Sequence, residues 1–271
     1  MSLITVSRGT FGGGKEVAEL LAKHLNYKCI SREMVIHDAS VTFDIPEDQL
    51  LDATSELPDP FGQRGSLCVY DVKYIRAAIL ERAVGNKMVY HGHGGHLLLA
   101  GIPGLLRVRI IAGMEYRINH AMNDKGINRE QAIDLIEAID KKRKLWSRKV
   151  WGIEWNDPSL YDLVISLDNV SVESAVQIII RAGETKEFVD SEAQQQIFEN
   201  ELIKSRIWAA LTKNKHTRMV RIDMQSSDGV ISLEGDVGSN KLVDAIVTIS
   251  KGVEGVKEVN CNLSVGSSWL W

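Results

Sequence analysis

The stretch that decides the fold class is Leu3-Ile-Thr-Val-Ser-Arg-Gly-Thr-Phe-Gly-Gly-Gly-Lys-Glu16. Residues 3–7 form a short run rich in β-branched side chains, which predicts a strand. Residues 16–25 predict a helix because apolar side chains recur on one helical face: Val17, Leu20, Leu21 and Leu25. A strand, a glycine loop and a helix in this order are typical of an α/β domain.

The alternation of strands and helices continues along the chain. A second apolar run, residues 87–90, is followed by another glycine cluster. Two more predicted strands, residues 106–112 and 163–167, precede helical patterns that begin near Glu115 and Ser171. This order predicts a doubly wound parallel sheet with helices on both faces, and ligands are then expected at the carboxyl ends of the strands.

A change in composition after Ala182 divides the chain. The polar residues 183–200 predict a solvated linker or an exposed helix. The segment beyond follows the order αββαβ, with its first helix expected over residues 202–211 and an Asp228-Gly229 turn between its first two strands, which predicts a small α+β module. The predicted divisions are residues 1–182, a linker over 183–200, the module over 201–266 and a tail over 267–271.

The composition excludes several classes of protein. Hydrophobic residues make up 44% of the 271 residues and charged residues 25%, with a formal net charge of −4. This balance argues against a disordered chain and gives no strong nucleic-acid signal, for which a domain pI above about 9 is usual. The longest apolar window, residues 97–106, is broken by two glycines and a proline, so no transmembrane segment is expected.

Two further patterns concern the cellular compartment. The amino terminus lacks the basic region, apolar core and cleavage site of a secretion signal. The three cysteines are scattered and form no Cys-x-x-Cys pair. We therefore expect a cytoplasmic protein with reduced thiols.

The first glycine loop has the spacing of a phosphate-binding loop, G-x4-G-K, between a strand and a helix. Its backbone N–H groups and the helix N-terminus favour phosphate oxygens, and Lys15 is expected to reach the terminal phosphates. Glu16 replaces the usual Ser or Thr that holds magnesium, so Glu16, Asp140 and Asp162 are the candidates for that task. The alternative is that the loop binds no phosphate and is only a glycine-rich turn from strand to helix, with Lys15 solvated. The residues expected at the donor are Gly9, Thr10, Gly12, Gly13, Gly14, Lys15 and Glu16.

The second glycine loop, His91-Gly-His93-Gly-Gly-His96, carries three imidazoles within six residues. We predict no metal site there, because no cysteine or carboxylate at suitable spacing completes a ligand set. The loop follows another strand, so it is a candidate to contact a second phosphorylated substrate in the same cleft. The alternative is a tight turn with solvated histidines.

A long polar helix is predicted between the last two strands of the sheet. Asn128 followed by Gln131 has the capping-box pattern, and the second half of the helix is strongly basic. The basic residues could form a solvated face, with Asp140 pairing with Arg143 or Lys144 at helical spacing. Alternatively, residues of about 123–150 form a mobile lid that brings arginines over phosphates, with Arg117 near its base.

In this order the motifs resemble the cytidylate kinase-like family of P-loop nucleoside monophosphate kinases, over residues 1–182. The motifs are Leu3-Ile-Thr-Val-Ser-Arg8, the first glycine loop with Glu16-Val-Ala18, Ser31-Arg-Glu33, His91-Gly-His-Gly-Gly95, Arg107-Val-Arg-Ile110, Glu115-Tyr-Arg-Ile118, Asp140-x-x-Arg143, Trp155-Asn-Asp-Pro158 and Tyr161-Asp-Leu163. The resemblance implies a P-loop α/β fold, ATP with Mg2+ at the first loop, and a nucleoside monophosphate site opposite.

The resemblance also implies roles for individual residues. Lys15, Arg117, Arg143 and Arg148 would be catalytic, and Arg32, Gly92, His93 and Gly94 would bind the acceptor. The family more often has Arg at the position of His93 and Asp at the position of Ser31. An imidazole replaces a permanently charged phosphate ligand there, so ATP binding is more strongly indicated than CMP binding.

The carboxyl-terminal module is similar to a BON domain. The similarity rests on Asp228-Gly-Val-Ile-Ser-Leu-Glu-Gly-Asp-Val237 and on Val253-Glu-Gly-Val256-x-x-Val259. It implies a sensing or docking module with an unknown ligand or protein partner. An alternative role for the module is homo-oligomerisation.

Two functions follow from these expectations. The first is ATP-dependent phosphoryl transfer to a nucleoside monophosphate, with CMP or dCMP the acceptor class that the resemblance implies. The second is a catalytically weak or inactive ATP-binding regulator whose BON-like module docks a partner or ligand, and it is favoured by Glu16, Ser31 and His93.

Overall fold

The computed structural model describes residues 3–55, 63–85, 87–189 and 191–266. In its amino-terminal part the strands are β1 (Leu3–Arg8), β2 (Lys28–Ser31), β3 (Met88–Gly92), β4 (Leu105–Ile111) and β5 (Leu163–Ser166). The helices are α1 (Gly14–Leu25), α2 (Arg32–Phe43), α3 (Glu47–Ser55), α4 (Gln63–Ala83), α5 (Gly95–Leu98), α6 (Met114–Lys125), α7 (Arg129–Trp151) and α8 (Val172–Gly183). The four predicted strands are present within two residues of their expected bounds, and β2 is a short strand that the sequence pattern did not predict.

The five strands form one parallel sheet in the order β2-β3-β1-β4-β5. The predicted doubly wound sheet is confirmed. Ser7 of β1 is paired with Gly92 of β3 on one side and with Arg109 of β4 on the other. The carboxyl ends of these three strands therefore meet, and both glycine loops start at that edge.

Two apolar layers cover the sheet because successive strand side chains point to opposite faces. Leu3 of β1 packs with buried residues of α2, α4 and α5, whereas Ile4 and Val6 pack with α1 and α8. Each face of the sheet is thus closed by helices, and the polar residues at the strand ends are left to form a cleft.

Helix α7 runs for 23 residues and is capped at both ends. Asn128 accepts from the backbone N–H of Gln131, whose side chain accepts from the N–H of Asn128, so the predicted capping box is confirmed. Gly152 ends the helix in the left-handed conformation, with φ of 69°. The lid predicted over residues 123–150 is therefore mainly one continuous helix.

The carboxyl-terminal module consists of α9 (Glu192–Lys213), β6 (Asp223–Ser227), β7 (Val230–Val237), α10 (Asn240–Lys251) and β8 (Glu258–Val265). The predicted order αββαβ is confirmed. Strand β7 lies between β6, which is antiparallel to it, and β8, which is parallel. The sheet forms a core with α9 and α10 that includes Ile207, Ile231 and Ile246.

Helix α9 is twice as long as the predicted helix over residues 202–211, which is a correction to the sequence analysis. Its first turns occupy much of the segment predicted as a linker or exposed helix, and Ser191 caps them. Phe198, Leu202 and Ala209 pack into the core beside α2 and α4, whereas Ile203 and Ile207 pack into the module. The prediction missed these contacts because few apolar residues are spread among many polar ones. Since apolar residues of α9 pack into both cores, this one helix joins them.

Within the described ranges, no helix has both the length and the apolar composition that crossing a lipid bilayer requires.

Candidate functional site

The first glycine loop leaves β1 and is fixed by its own backbone. The N–H of Gly9 donates to the carbonyl of Ile110 at 3.0 Å, and the N–H of Gly12 donates to the carbonyl of Gly9 at 3.0 Å. Gly13 is the N-cap of α1 and has a φ of 74°. The loop therefore turns at the edge of the sheet and points the N-terminus of α1 toward the cleft, as a phosphate-binding loop requires.

Gly13 is restricted by its neighbours as well as by its backbone angle. A Cβ atom at this position would lie 2.6 Å from Cδ1 of Leu167 and 2.8 Å from the hydroxyl of Tyr116. Both contacts are too short for any side chain. The glycine that the motif requires is thus held between the loop after β5 and the first turn of α6.

Lys15 and Glu16 follow in the first turn of α1 and are both accessible. The ammonium of Lys15 lies 3.8 Å from a carboxylate oxygen of Glu19, and its side chain is 63% exposed. Glu16 lies 3.6 Å from the imidazole of His120. These are weak surface contacts, so both side chains can turn toward a ligand at the loop.

Asp140 joins α7 to the first glycine loop and to α6. One carboxylate oxygen accepts from the hydroxyl of Thr10 at 2.6 Å, and the other accepts from Arg117 of α6 at 2.6 Å. Arg117 also donates to the carbonyl of Thr10 at 2.8 Å. The predicted base of the lid is therefore a closed set of contacts among α6, α7 and the loop.

Arg143 lies one turn further along α7 and donates to the carbonyl of Arg8 at 2.9 Å. Burial lowers the pKa of Arg143 to about 10, with Asp140 opposing the shift and the positive charges of Arg8, Arg32 and Arg117 adding to it. Four arginines from β1, α2, α6 and α7 therefore converge in one place. Such an excess of buried positive charge favours an anionic ligand.

Arg109 of β4 is a further member of this cluster, and it is not among the site residues predicted from the sequence. It is buried, donates to the carbonyl of Trp155 at 2.9 Å and lies 4.3 Å from the centre of that ring. The signal for it was a charged residue inside an otherwise buried strand, between Val108 and Ile110. Such a residue is rarely buried without a ligand or a partner.

A cleft of about 440 Å³ opens between the phosphate loop, the end of β4 and α7. Its lining includes Gly9, Thr10, Arg109, Arg117, Asp140 and Trp155. The predicted loop residues and the predicted lid base thus border the same space.

The second glycine loop packs against α2 and α7. A Cβ atom at Gly92 would lie 2.9 Å from Cβ of Arg32, and one at Gly94 would lie 3.2 Å from the Trp146 ring. Gly94 also has a φ of 77°. The structure therefore brings Arg32, Gly92, His93 and Gly94 together beside α7.

The three histidines of this loop are buried, contrary to the alternative in which they are solvated. Burial, reinforced by nearby positive charges, lowers the pKa of His91 and of His96 to about 4 and that of His93 well below its ordinary range. No group of three or more His, Cys, Asp or Glu residues in the described part of the chain is arranged to hold a metal ion. The imidazoles are therefore neutral groups in a basic environment.

Two sequence candidates lie outside the cleft. Arg148 is 54% exposed on its side chain and pairs with Glu154 near the end of α7. Asp162, a candidate for magnesium, precedes β5 and forms a bidentate pair with Arg107. That pair is at the opposite end of β5 from the cleft, so Asp162 is wrong as a magnesium ligand.

Asp168 lies at the end of β5 that faces the cleft, and it is not among the site residues predicted from the sequence. Its carboxylate accepts from the backbone N–H of Gly113 at 2.6 Å and from the hydroxyl of Ser166 at 2.9 Å. Its position directly after a predicted strand was the available signal, because polar residues after parallel strands border the ligand edge.

Comparison with known proteins identifies the family. The profile of the Cytidylate kinase-like family matches residues 3–169, which is more than half of the chain. The chain belongs to the cytidylate kinase-like family. A BON domain profile matches residues 199–267, so this member of the family also carries a BON domain. Both resemblances drawn from the sequence motifs are confirmed.

Relatives and solved structures agree with this assignment. The cytidylate kinase of Saccharolobus islandicus strain L.S.2.15 is 27% identical over 182 residues, covering 66% of this chain and 89% of that protein. The cytidylate kinase of strain M.14.25 gives the same values. The crystal structure of an uncharacterized protein from Eubacterium ventriosum superposes with a TM-score of 0.53 at 20% identity, over 69% of this chain and 100% of that one. This last likeness shows a shared fold for the cytidylate kinase-like part.

Proposed function

We propose that the protein transfers the terminal phosphoryl group of ATP to a nucleoside monophosphate, with CMP or dCMP as the acceptor. One observation carries the proposal. Arg8, Arg32, Arg109, Arg117 and Arg143 converge at the edge of the sheet where the two glycine loops meet. An edge with this charge and a phosphate-binding loop suits two phosphorylated ligands facing each other.

The donor side fits ATP. Gly13 is held in a left-handed turn at the N-terminus of α1, and Lys15 is free to reach a terminal phosphate. Mg2+ bound with ATP would neutralise phosphate charge as the phosphoryl group moves. Among the candidate carboxylates, Glu16 suits the metal best because it directly follows Lys15 and makes only a 3.6 Å contact with His120.

Catalysis then depends on positioning and on charge. The transferring group spreads negative charge over its oxygens, and positive groups that are already in place stabilise this distribution most effectively. Arg117 and Arg143 approach the phosphate loop from α6 and α7, through contacts with the carbonyls of Thr10 and Arg8. We assign both to the transferring phosphoryl group, and closure of α7 would exclude water from it.

The acceptor side is the second glycine loop. Arg32 and His93 border it, and Gly92 and Gly94 let α2 and α7 approach closely. The choice of a cytidine nucleotide rests on the curated relatives, which are named cytidylate kinases.

A second candidate function is nucleotide sensing, and α9 favours it. This helix packs its Phe198 face into the kinase-like core and its Ile207 face into the BON core. Nucleotide binding at one end could thus alter the other module without turnover. ATP binding that changes backbone amide exchange in α9, in a protein with no transfer to any nucleoside monophosphate, would select this function.

The test of the first function is direct. The full-length protein is incubated with magnesium, γ-labelled ATP and each nucleoside monophosphate in turn, and the products are separated by chromatography. Labelled CDP or dCDP that is absent with Lys15→Ala supports the proposal. Labelled diphosphate from another acceptor would retain the kinase and replace its substrate.

A further inference from the structure

Buried polar atoms without hydrogen-bond partners are concentrated around the second glycine loop. Seven of the eleven such side-chain atoms in the described part of the chain belong to five residues there: Arg32, Tyr90, His91, His93 and His96. An unpaired buried polar atom destabilises the fold because it has lost its hydrogen bonds to water, so native proteins rarely group such atoms without a purpose. The concentration indicates a site that is completed by a polar ligand.

His93 is the central member of this group. Both of its ring nitrogens are buried and unpaired, and its side chain is 4% exposed. The ring lies 4.9 Å from the Trp146 ring and 5.6 Å from the Trp155 ring. The imidazole is thus fixed by aromatic packing while its hydrogen-bonding capacity is unused.

Three arginines act on His93: Arg32 of α2, Arg109 of β4 and Arg143 of α7. His96 of α5 also acts on the ring, but only in its protonated form. Two carboxylates on these elements have other contacts: Glu33 lies 3.4 Å from Arg32, and Asp140 binds Thr10 and Arg117. Burial and these cations keep the pKa of His93 far below its ordinary value, so the ring is neutral at pH 7.

We propose that His93 takes up a proton when the phosphate of the acceptor binds, so that acceptor affinity falls as the pH rises. A dianion beside the ring offsets most of the positive charge of the three arginines and favours the imidazolium, which can donate from both nitrogens. Trp146 covers the ring in this conformation, and α7 must shift to admit the anion. The inference rests on the proposed function in taking the acceptor phosphate as the natural anion.

A histidine at position 93 gives the anion affinity a different pH dependence from an arginine at this position. Arginine keeps its charge at all physiological pH values, whereas a histidine that must be protonated on binding makes affinity depend on pH. Between the pKa values of the free and the bound states, the affinity should fall up to tenfold for each pH unit. His93 therefore makes this site sensitive to pH.

Inorganic sulfate tests the coupling because it carries two charges and does not titrate between pH 6 and 8. Calorimetric titrations of the full-length protein at pH 6.5, in MES and in imidazole buffers, give the number of protons taken up. We expect proton uptake by the wild type and none by His93→Gln. We also expect the wild-type affinity for sulfate to fall between pH 6 and 8, and that of His93→Arg to stay constant if this variant folds.

Three results would overturn the proposal: no sulfate binding, binding without proton uptake, or equal uptake by His93→Gln. The last result would assign the proton to His91 or His96. None of these measurements requires turnover, so a protein that takes up the proton but transfers no phosphate would retain this inference and lose the kinase function.

Discussion

Arg117 of α6 and Asp140 of α7 form an ion pair of 2.6 Å directly above the phosphate loop. The second oxygen of the same carboxylate accepts from Thr10 in the loop. A carboxylate thus occupies the space between groups that would otherwise donate to a phosphate. In this conformation Asp140 holds α7 against the first glycine loop.

Asp140→Asn should therefore increase the affinity for a phosphate-like anion. The substitution removes a negative charge next to Thr10 and Arg117 and keeps the size of the side chain. We expect ATP to bind about fivefold more tightly, which corresponds to about 1 kcal/mol. Asp134→Asn, at an exposed position on the same helix, is the control. Unchanged or weaker binding in Asp140→Asn would show that the carboxylate does not compete with anions.

Gly13→Ala should disable the phosphate loop. The new methyl group would lie 2.6 Å from Leu167 and 2.8 Å from the Tyr116 hydroxyl, so the loop must shift. Gly152→Ala is a matched control, since Gly152 has a similar φ of 69° and nothing within 4 Å of its Cβ position. Both variants should lose about 1 kcal/mol of unfolding free energy from the backbone conformation. Only Gly13→Ala should lose more unfolding free energy than this, which urea unfolding would measure. Only this variant should also weaken ATP binding more than tenfold, which calorimetry would measure. Equal losses in the two variants would contradict the packing explanation.

Arg143→Ala and Arg148→Ala should have different kinetic effects, although both arginines are on α7. Arg143 lies in the arginine cluster and contacts the carbonyl of Arg8, whereas Arg148 pairs with Glu154 on the surface. We expect Arg143→Ala to lower kcat at least tenfold with little change in ATP affinity, and Arg148→Ala to stay within about twofold of wild type. Steady-state kinetics with ATP and CMP provide the comparison. A larger loss in Arg148→Ala would mean that the lid turns its far end into the cleft during turnover.

Stability should decrease as the pH falls below about 6.5. Burial lowers the pKa of His91 and His96 to about 4, so these rings are more readily protonated in the unfolded chain. Their contribution to stability is fully present above pH 6.5 and is lost as the pH falls toward 4. His96→Phe retains an aromatic ring next to Tyr161, which lies 4.5 Å away. It should reduce the pH slope of the unfolding free energy by up to about 1.4 kcal/mol per pH unit.

Urea unfolding at pH 7, 6 and 5 would measure this slope. His24→Gln, an exposed change on α1, serves as the control and should keep the wild-type slope. An unchanged slope in His96→Phe would mean that another group causes the acid sensitivity.

The sequence was sufficient to predict the elements whose signals are local. The loop from Gly9 to Lys15 indicated the strand, the turn and the helix together, because positive φ at Gly13 and close backbone approach at Gly9 and Gly14 favour glycine. The capping box at Asn128 and the αββαβ order of the module were equally local, since each depends on residues near in the chain.

The contacts that assemble the site depend on tertiary structure. The pairing of Ser7 with both Gly92 and Arg109 follows from the strand order, which hydrophobic periodicity does not determine. Asp162 and Asp168 flank the same short strand, and only the sheet distinguishes the end that faces the cleft. The polar composition of the segment before residue 202 gives no sign of packing, yet its Phe198 packs into the core beside α4.

Phosphoryl transfer itself is the decisive measurement. Wild type and Lys15→Ala are incubated with magnesium, γ-labelled ATP and, in separate reactions, CMP and each of the other nucleoside monophosphates. We predict labelled CDP from wild type and a loss of at least a hundredfold in the variant, because Lys15 is the cation assigned to the terminal phosphates. Equal rates in the two proteins, or no labelled nucleoside diphosphate from any acceptor, would contradict the assignment of the arginine-lined cleft to phosphoryl transfer.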